Sequence, residues 1–385
     1  MTESFETLEQ VMHRAVALAV RGEGRVAPNP AVGAVVVDEE LRVLGEGWHT
    51  AFGEAHAEVV ALESAGDSAR GATLVVTLEP CCHHGQTPPC TDAVLAAGIR
   101  RVVVGIADPS PHADGSGLSR LRDAGLEVEV GVAVESVRRL NAPFLKLLET
   151  GHPWIHAKWA MTLDGRIAAT GGHSQWISGE ESRLLVHQLR GRVDAVLVGI
   201  GTAVADDPLL TARPPGPRTA TRVVLDSTAR LPLDSQLVRT SPDVPLLLAC
   251  AETADPSRVA ALVEAGVEVI AGPVDDRGRL EIANLLEEFG TRRWTNVLVE
   301  GGSEVLGALA DGGWIDEAHV FLAPKLVGGR EALGAVGGDG LTRIPEAASL
   351  VCVETRTVGE DVYWRGVRVR GGERPACCSA RYRWY

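Results

Sequence analysis

The chain has 385 residues, 45% of them hydrophobic, which is too much material for one comfortable core and points to two domains. Its formal net charge of −14 argues against a broad face that grips nucleic-acid phosphates. No apolar run is long enough to span a membrane, so a cytoplasmic protein acting on a small molecule is expected.

Leu8, Val11, Met12, Ala15, Val16 and Ala19 follow helical spacing within residues 6–21. Acidic residues at the front and no small-residue cleavage site make this an amphipathic first helix, not a targeting segment. After Asn29-Pro30 the pattern predicts a strand over 32–37, a turn at Asp38-Glu39-Glu40 and a hairpin partner over 41–47. Helices over 57–65, 91–97 and 118–124 then alternate with strands over 72–78, 101–106 and 126–130. That alternation predicts a helix-covered sheet. One helical stretch over 134–148 runs into Thr150-Gly151-His152-Pro153, whose Gly/Pro punctuation marks a domain boundary. Further strands are expected over 154–159, 195–198, 222–225, 246–249, 267–270 and 297–299, with strand-rich segments over 318–327 and 351–370. The expected organisation is an α/β domain over 1–148, a second α/β domain over 149–370 and a disordered tail over 371–385.

The seven cysteines are Cys81, Cys82, Cys90, Cys250, Cys352, Cys377 and Cys378. Their odd number and uneven spacing do not form a disulfide framework, and clustering favours metal binding. Three pieces stand out: His56-Ala57-Glu58, Glu79-Pro80-Cys81 and Pro88-Pro89-Cys90. One histidine and two cysteines suit zinc, and three protein ligands leave the fourth position that a catalytic site needs for water. Zinc lowers the pKa of that water to about 7. Glu58, two residues from the ligand His56, suits a proton shuttle rather than a ligand. His-x-Glu followed by Pro-Cys and a second Cys at a helix start is the pattern of the zinc deaminases, and scattered cysteines are a poor alternative. Cys82, His83 and His84 are neighbours that could also ligate, but the two histidines are read as pocket lining and Cys82 as a structural thiol.

The usual deaminase signature has two residues between its cysteines. Here eight separate Cys81 from Cys90. Together with Asn29-Pro30-Ala31-Val32-Gly33 and Thr77-Leu78-Glu79-Pro80-Cys81, this loop strongly resembles the deaminase domain of riboflavin biosynthesis. The resemblance extends through Lys158 to Arg166, Ser174-Gln175-Trp176-Ile177, Gly201-Thr202, Ala205-Asp206-Asp207-Pro208, Leu210-Thr211-Ala212-Arg213 and Val299-Glu300-Gly301-Gly302. These match the reductase half of the bifunctional deaminase–reductase family, over roughly residues 8–370.

The resemblance implies a cytidine-deaminase-like three-layer α/β/α domain followed by a dihydrofolate-reductase-like α/β domain. It implies zinc at His56, Cys81 and Cys90, Glu58 as the catalytic residue, and Asn29 and His49 as substrate contacts. In the second half it implies NADPH held by Ala160, Trp176, Thr202, Asp206, Ser227, Gly302, Ser303, Glu304, Val305, Leu306, Gly307 and Ala308. Ser174, Arg190, Leu210, Arg213 and Glu300 would contact substrate. Arg190 and Arg213 have a chemical reason, because a ribose phosphate needs fork-shaped cationic donors. The roles of Lys158 and Asp164 stay open.

Read from residues alone, the second domain offers less. A strand over 294–300, Gly301-Gly302 and a helix over 303–310 make a weak phosphate-cradle signal, and no GxGxxG supports a Rossmann domain. The implied substrate is a phosphoribosylaminopyrimidine, deaminated and then reduced at its ribosyl chain. The implied assembly is a homo-oligomer through the reductase half. The rival reading is a nucleobase or tRNA-type zinc deaminase with an accessory C-terminal domain, against which the acidic charge and the long Cys81–Cys90 loop both speak.

Overall fold

The computed structural model describes residues 3–84, 88–110, 113, 115–344 and 348–369. The chain divides into two compact units between Gly151 and His152. The expected disordered tail, with Cys377 and Cys378, lies outside the described residues, as do Gly85, Gln86 and Thr87 of the long loop.

In the first unit the apolar spacing becomes α1 (Leu8–Ala19), which buries Val11, Met12, Ala15, Val16, Leu18 and Ala19. Thr7 and Gln10 close its start as a capping box. The chain continues through β1 (Gly33–Val37), β2 (Val43–Trp48), α2 (Ala57–Ala65), β3 (Thr73–Leu78), α3 (Cys90–Ala96), β4 (Arg101–Ile106), α4 (Ser116–Asp123), β5 (Glu127–Val130), α5 (Val134–Leu140) and α6 (Ala142–Thr150). The sheet order is β2-β1-β3-β4-β5. β1 is antiparallel to both neighbours, and β3, β4 and β5 run parallel. Every residue of β3 is buried, as expected of a central strand covered on both faces.

Two local readings change. The expected single helix over 134–148 is two helices broken at Asn141, whose φ of −101° leaves the helical region. Asn141 side-chain oxygen accepts from Ala31 N at 2.9 Å and its amide donates to Ala31 O at 3.0 Å. A buried pair of backbone groups thereby gains partners, and Pro143 starts the second helix where its missing N–H costs nothing. The hairpin partner begins at Val43 rather than at residue 41, because Asp38 accepts from Glu40 N and Arg42 N and holds the chain in a turn.

The second unit runs β6 (Trp154–Thr162), α7 (Glu180–Arg190), β7 (Ala195–Gly199), α8 (Ile200–Asp206), β8 (Thr221–Leu225), α9 (Gln236–Arg239), β9 (Leu246–Ala251), α10 (Pro256–Glu264), β10 (Glu268–Gly272), α11 (Ile282–Thr291), β11 (Asn296–Val299), α12 (Ser303–Asp311), β12 (Glu317–Ala323), β13 (Leu350–Val358) and β14 (Asp361–Arg368). Among the described residues its sheet has nine strands in the order β10-β9-β8-β7-β11-β6-β12-β14-β13. The strands from β10 to β12 are parallel, and β14 and β13 add an antiparallel edge. Two apolar clusters hold this sheet, one around Val196, Val224 and Leu248 and one around Leu197, Leu247 and Phe289. Both units are therefore α/β, as the alternating pattern predicts. The expected strand segment over 318–327 ends at Ala323, where Lys325 turns back to hydrogen-bond Leu163 N through its carbonyl.

Candidate functional sites

The first site is assembled by short-range geometry. His56 is the N-cap of α2 and Cys90 opens α3, while Cys81 follows β3. β2 approaches α2 closely at Gly47, where a Cβ would lie 2.4 Å from Ala57 O. A larger residue there would push away the helix that carries His56 and Glu58. Cys90 N donates to Cys81 Sγ at 3.3 Å, and Thr91 N donates to Cys81 O at 3.1 Å, so the start of α3 is tied to the Cys81 segment.

His56 Nδ1 stands 3.2 Å from Cys90 Sγ and 3.6 Å from Cys81 Sγ. A zinc ion with ordinary bond lengths to sulfur and nitrogen sets a tetrahedral S···N edge of about 3.6 Å, so the three side chains fit that ion. Their protonation agrees. Hydrogen bonding from Cys90, and then from His56, pulls the Cys81 thiol down to about 4. The same contact with Cys81 pushes Cys90 upward. Without a cation the pair shares one proton, Cys90 keeping it and donating to the Cys81 thiolate; a bound zinc ion would let both become thiolates.

Burial pushes the Glu58 carboxyl up to about 7, against the pull of the His56 charge. Glu58 is 3% exposed. His49 is also buried, with Nδ1 3.2 Å from Ala55 O and its ring edge-on to His56 at 5.2 Å between centroids. Its Nε2 is buried with no hydrogen-bond partner among the described residues. Asn29 is half-buried in the turn before β1, with its N–H on Val26 O. The open question about neighbouring ligands closes among the described residues: Cys82 Sγ faces Ser116 Oγ at 2.9 Å, His83 and His84 are exposed, and none joins the ligand cluster. Glu79 stands two positions before Cys81. Its buried carboxylate accepts from Asp108, Gly117 and Leu118 N–H groups at 3.0–3.3 Å and so anchors the start of α4.

The second site gathers residues from distant segments. Arg190 donates from Nε and Nη2 to the two Glu300 oxygens at 2.6 and 2.9 Å, and from Nη1 to Thr211 O at 3.2 Å. Lys158 Nζ lies 3.9 Å from Glu300 Oε2. Burial works to raise the Glu300 carboxyl, but the Arg190 charge and hydrogen bonds, with Lys158, hold it below its ordinary value. Burial lowers the Lys158 ammonium, and Glu300 opposes that. The Arg190 fork is thus occupied by Glu300, whereas Arg213 is exposed and donates to Thr211 Oγ1 at 3.4 Å.

Thr202 sits beside the β11–α12 turn. A Cβ on Gly302 would lie 3.2 Å from Thr202 Oγ1, and Gly301 has a φ of +118°, open to glycine. Ser174 Oγ is 3.4 Å from Asp206 Oδ1. Leu210 is 3% exposed with a φ of +55°. Trp176 is 64% exposed, stacks under the Arg183 guanidinium at 4.6 Å and offers its carbonyl to Lys325 Nζ. Ser227 follows β8 and accepts from Ala251 N, and Ala160 lies on β6 against the cluster around Phe321. Within the expected cofactor stretch, Ser303 is buried and Glu304 exposed, Val305 packs toward Gly199, Leu306 belongs to the core, and Gly307 abuts the Gly337 and Gly338 backbone. Ala308 accepts from Gly312 N at the far end of α12. Asp164 accepts from Thr162 Oγ1, Val327 N and Gly328 N, and these bonds lower its carboxyl to about 2. It fixes a loop.

Residues 5–106 match the cytidine and deoxycytidylate deaminase zinc-binding region, and residues 153–364 match the RibD C-terminal domain. The riboflavin biosynthesis protein RibD of Actinobacillus pleuropneumoniae is 39% identical over 94% of this chain and 96% of its own. That of Escherichia coli K12 is 39% identical over 92% of this chain and 97% of its own. A crystal structure from Thermotoga maritima, described as a diaminohydroxyphosphoribosylaminopyrimidine deaminase/5-amino-6-(5-phosphoribosylamino)uracil reductase, is 36% identical with a TM-score of 0.80, covering 94% of this chain and 99% of that one. Acinetobacter baumannii RibD gives a TM-score of 0.81 at 32% identity, with the same coverage.

Proposed function

From its membership of the RibD family, to which the chain belongs, we infer how its residues divide the two reactions of a riboflavin-biosynthesis deaminase and reductase. The substrate of the first is a 2,5-diamino-6-(5-phosphoribosylamino)pyrimidin-4-one, in keeping with the description of the Thermotoga maritima relative. The observation that carries this reading is the His56, Cys81 and Cys90 trio beside the buried carboxyl of Glu58.

His56, Cys81 and Cys90 hold zinc, which when bound supplies a water acidified to near neutral pH. Glu58 would carry the two protons of the attacking water in turn at its carboxylate, the first to a pyrimidine ring nitrogen and the second to the departing amine, so that water adds and ammonia leaves. A carboxyl with a pKa near 7 can both accept and give a proton at neutral pH. His49 Nε2 and Asn29 bind the pyrimidine, which supports a role for an otherwise unpartnered buried nitrogen.

In the second unit NADPH supplies the hydride when bound. The chain's own residues bind and orient. The first turn of α12, from Gly302 to Val305, would offer its amides to the phosphates of the cofactor, with Thr202 beside that turn. Ala160, Trp176, Asp206 and Ser227 line the same cofactor. Leu306, Gly307 and Ala308 keep α12 seated. Ser174, Leu210, Arg213 and Glu300 hold the ribosyl substrate. Arg213 is the cation for its phosphate, and Arg190 fixes Glu300 beside Lys158.

The reading places the protein in the cytoplasm, with self-association through the reductase unit. No helix among the described residues is long and apolar enough to cross a membrane. The assay offers the diaminopyrimidine phosphate, cytidine and tRNA in turn. Ammonia release from the first alone, followed by NADPH oxidation, is expected. Comparable release from cytidine or tRNA contradicts the substrate assignment.

A further inference from the structure

Away from the residues assigned above, His156, Glu317 and His319 bring two ring nitrogens and a carboxylate to one point. They share one face of the second sheet, where His156 on β6 pairs in register with Glu317 on β12, two residues before His319. Glu317 and His319 are buried at 3% and 2% exposure.

The spacing is that of a small cation's ligands. His156 Nδ1 is 3.2 Å from His319 Nε2, His319 Nε2 is 3.1 Å from Glu317 Oε1, and His156 Nδ1 is 3.7 Å from Glu317 Oε2. A tetrahedral ion bonded at ordinary zinc distances to nitrogen and oxygen sets edges of about 3.3–3.4 Å. The triangle therefore has the size of one face of such a site. It is close to that of the deaminase trio, whose nitrogen–sulfur distances are 3.2 and 3.6 Å.

The far side of each ring is already fixed. His156 Nε2 lies 3.0 Å from Asn296 Oδ1, while the Asn296 amide donates to Thr295 Oγ1 and Thr295 donates to Asp194. That order of donors makes Nε2 of His156 the N–H, which in the neutral ring leaves Nδ1 as a bare lone pair aimed at His319. His319 Nδ1 meets the Tyr363 hydroxyl at 2.8 Å. Histidines that bind metals are oriented by such a hydrogen bond on the opposite nitrogen, and ligating carboxylates are hydrogen-bonded in turn. Glu317 meets this as well: Trp154 Nε1 donates to Oε2 at 3.2 Å and Arg365 pairs with Oε1. A carboxylate has about four acceptor positions, so two remain for the histidine side.

With His156 Nδ1 bare and Glu317 ionised, acceptors converge unless a positive centre lies among them. A proton on His319 Nε2 or a metal ion meets that need. We propose that His156, His319 and Glu317 bind a divalent first-row metal ion of the zinc class, separate from the ion held by His56, Cys81 and Cys90. Two imidazoles and a carboxylate are donors suited to that class, and the fourth position is left to water. Arg365 adds positive charge beside the carboxylate, so this ion is held less tightly than one between two thiolates.

Metal content of the full-length chain tests this directly. Protein purified with zinc and dialysed into metal-free buffer should contain two zinc ions per chain, and His319→Gln or His156→Gln should lower the count to one. Cys90→Ala, or Cys81→Ser in its place, should keep one. Reloaded with cobalt(II), that variant should show visible cobalt bands without the near-ultraviolet band of a cobalt–thiolate bond. Stepwise chelation should take the count from two to one before deaminase turnover falls. One zinc per chain in the unaltered protein with none in Cys90→Ala overturns the proposal and assigns the cluster a proton. Two ions that persist in His319→Gln overturn it too, since the second ion then lies elsewhere. The counts on the unaltered chain and on the cysteine variants decide the matter even where a histidine variant does not fold.

Discussion

The two proposed sites differ in how far along the chain their parts lie. His56 and Cys90 are 34 positions apart and sit on the opening residues of two short helices. Arg190 and Glu300 are 110 positions apart and meet because β7 and β11 are parallel neighbours in a nine-stranded sheet. A metal site compresses its demands into residue types at fixed local offsets. An ion-pair network beside a bound substrate makes its demands through sheet topology, which no local pattern encodes.

The sharpest way to separate the two regions is Glu58→Gln. The substitution keeps size and hydrogen bonding but removes the titrating carboxyl. Deamination should fall by about 10²–10⁴-fold, the ordinary contribution of a positioned proton-transfer group. Zinc content and reductase turnover should stay as they are. Retained deaminase turnover breaks the role assigned to Glu58.

A smaller effect is expected on the other side. Arg213→Ala removes the exposed cation proposed for the substrate phosphate, and hydrogen bonds to charged groups contribute about 1.5–3 kcal/mol. The reductase KM should rise by roughly 10- to 150-fold with deamination untouched, as steady-state kinetics on each half-reaction would register. An unchanged KM returns the phosphate to Arg190.

The mildest expectation concerns folding. Asn141→Ala leaves the buried Ala31 N–H and carbonyl without their side-chain partner. The first unit should lose about 1–3 kcal/mol, read as a lower midpoint in urea. No shift in the midpoint would mean that Asn141 does not hold the α5–α6 break.

These differences explain what was legible in the sequence. His56, Glu58, Cys81 and Cys90 were readable because thiolates, imidazole and a carboxyl at those offsets have few other uses. Strands such as β3 and β4 were readable because each carries a run of buried apolar residues, Leu74-Val75-Val76 and Val102-Val103-Val104. The break at Asn141 was not, since its cause is a contact with Ala31, 110 residues away. The pairing of Arg190 with Glu300 was hidden for the same reason. The helices α7, α8, α10 and α11 also escaped, being short amphipathic stretches between stronger strand signals. His156, Glu317 and His319 drew no notice because two of them lie on a strand more than 160 residues from the third.

The central claim is that one chain carries two separately built sites, the first dependent on zinc and the second not dependent on that ion. The most direct measurement follows ammonia release and NADPH oxidation in one preparation of Cys81→Ser, given first the diaminopyrimidine phosphate and then its deaminated product. The account predicts no ammonia from the first and unaltered NADPH oxidation with the second. Ammonia release at the original rate, or loss of both activities in a protein that remains folded, would contradict it.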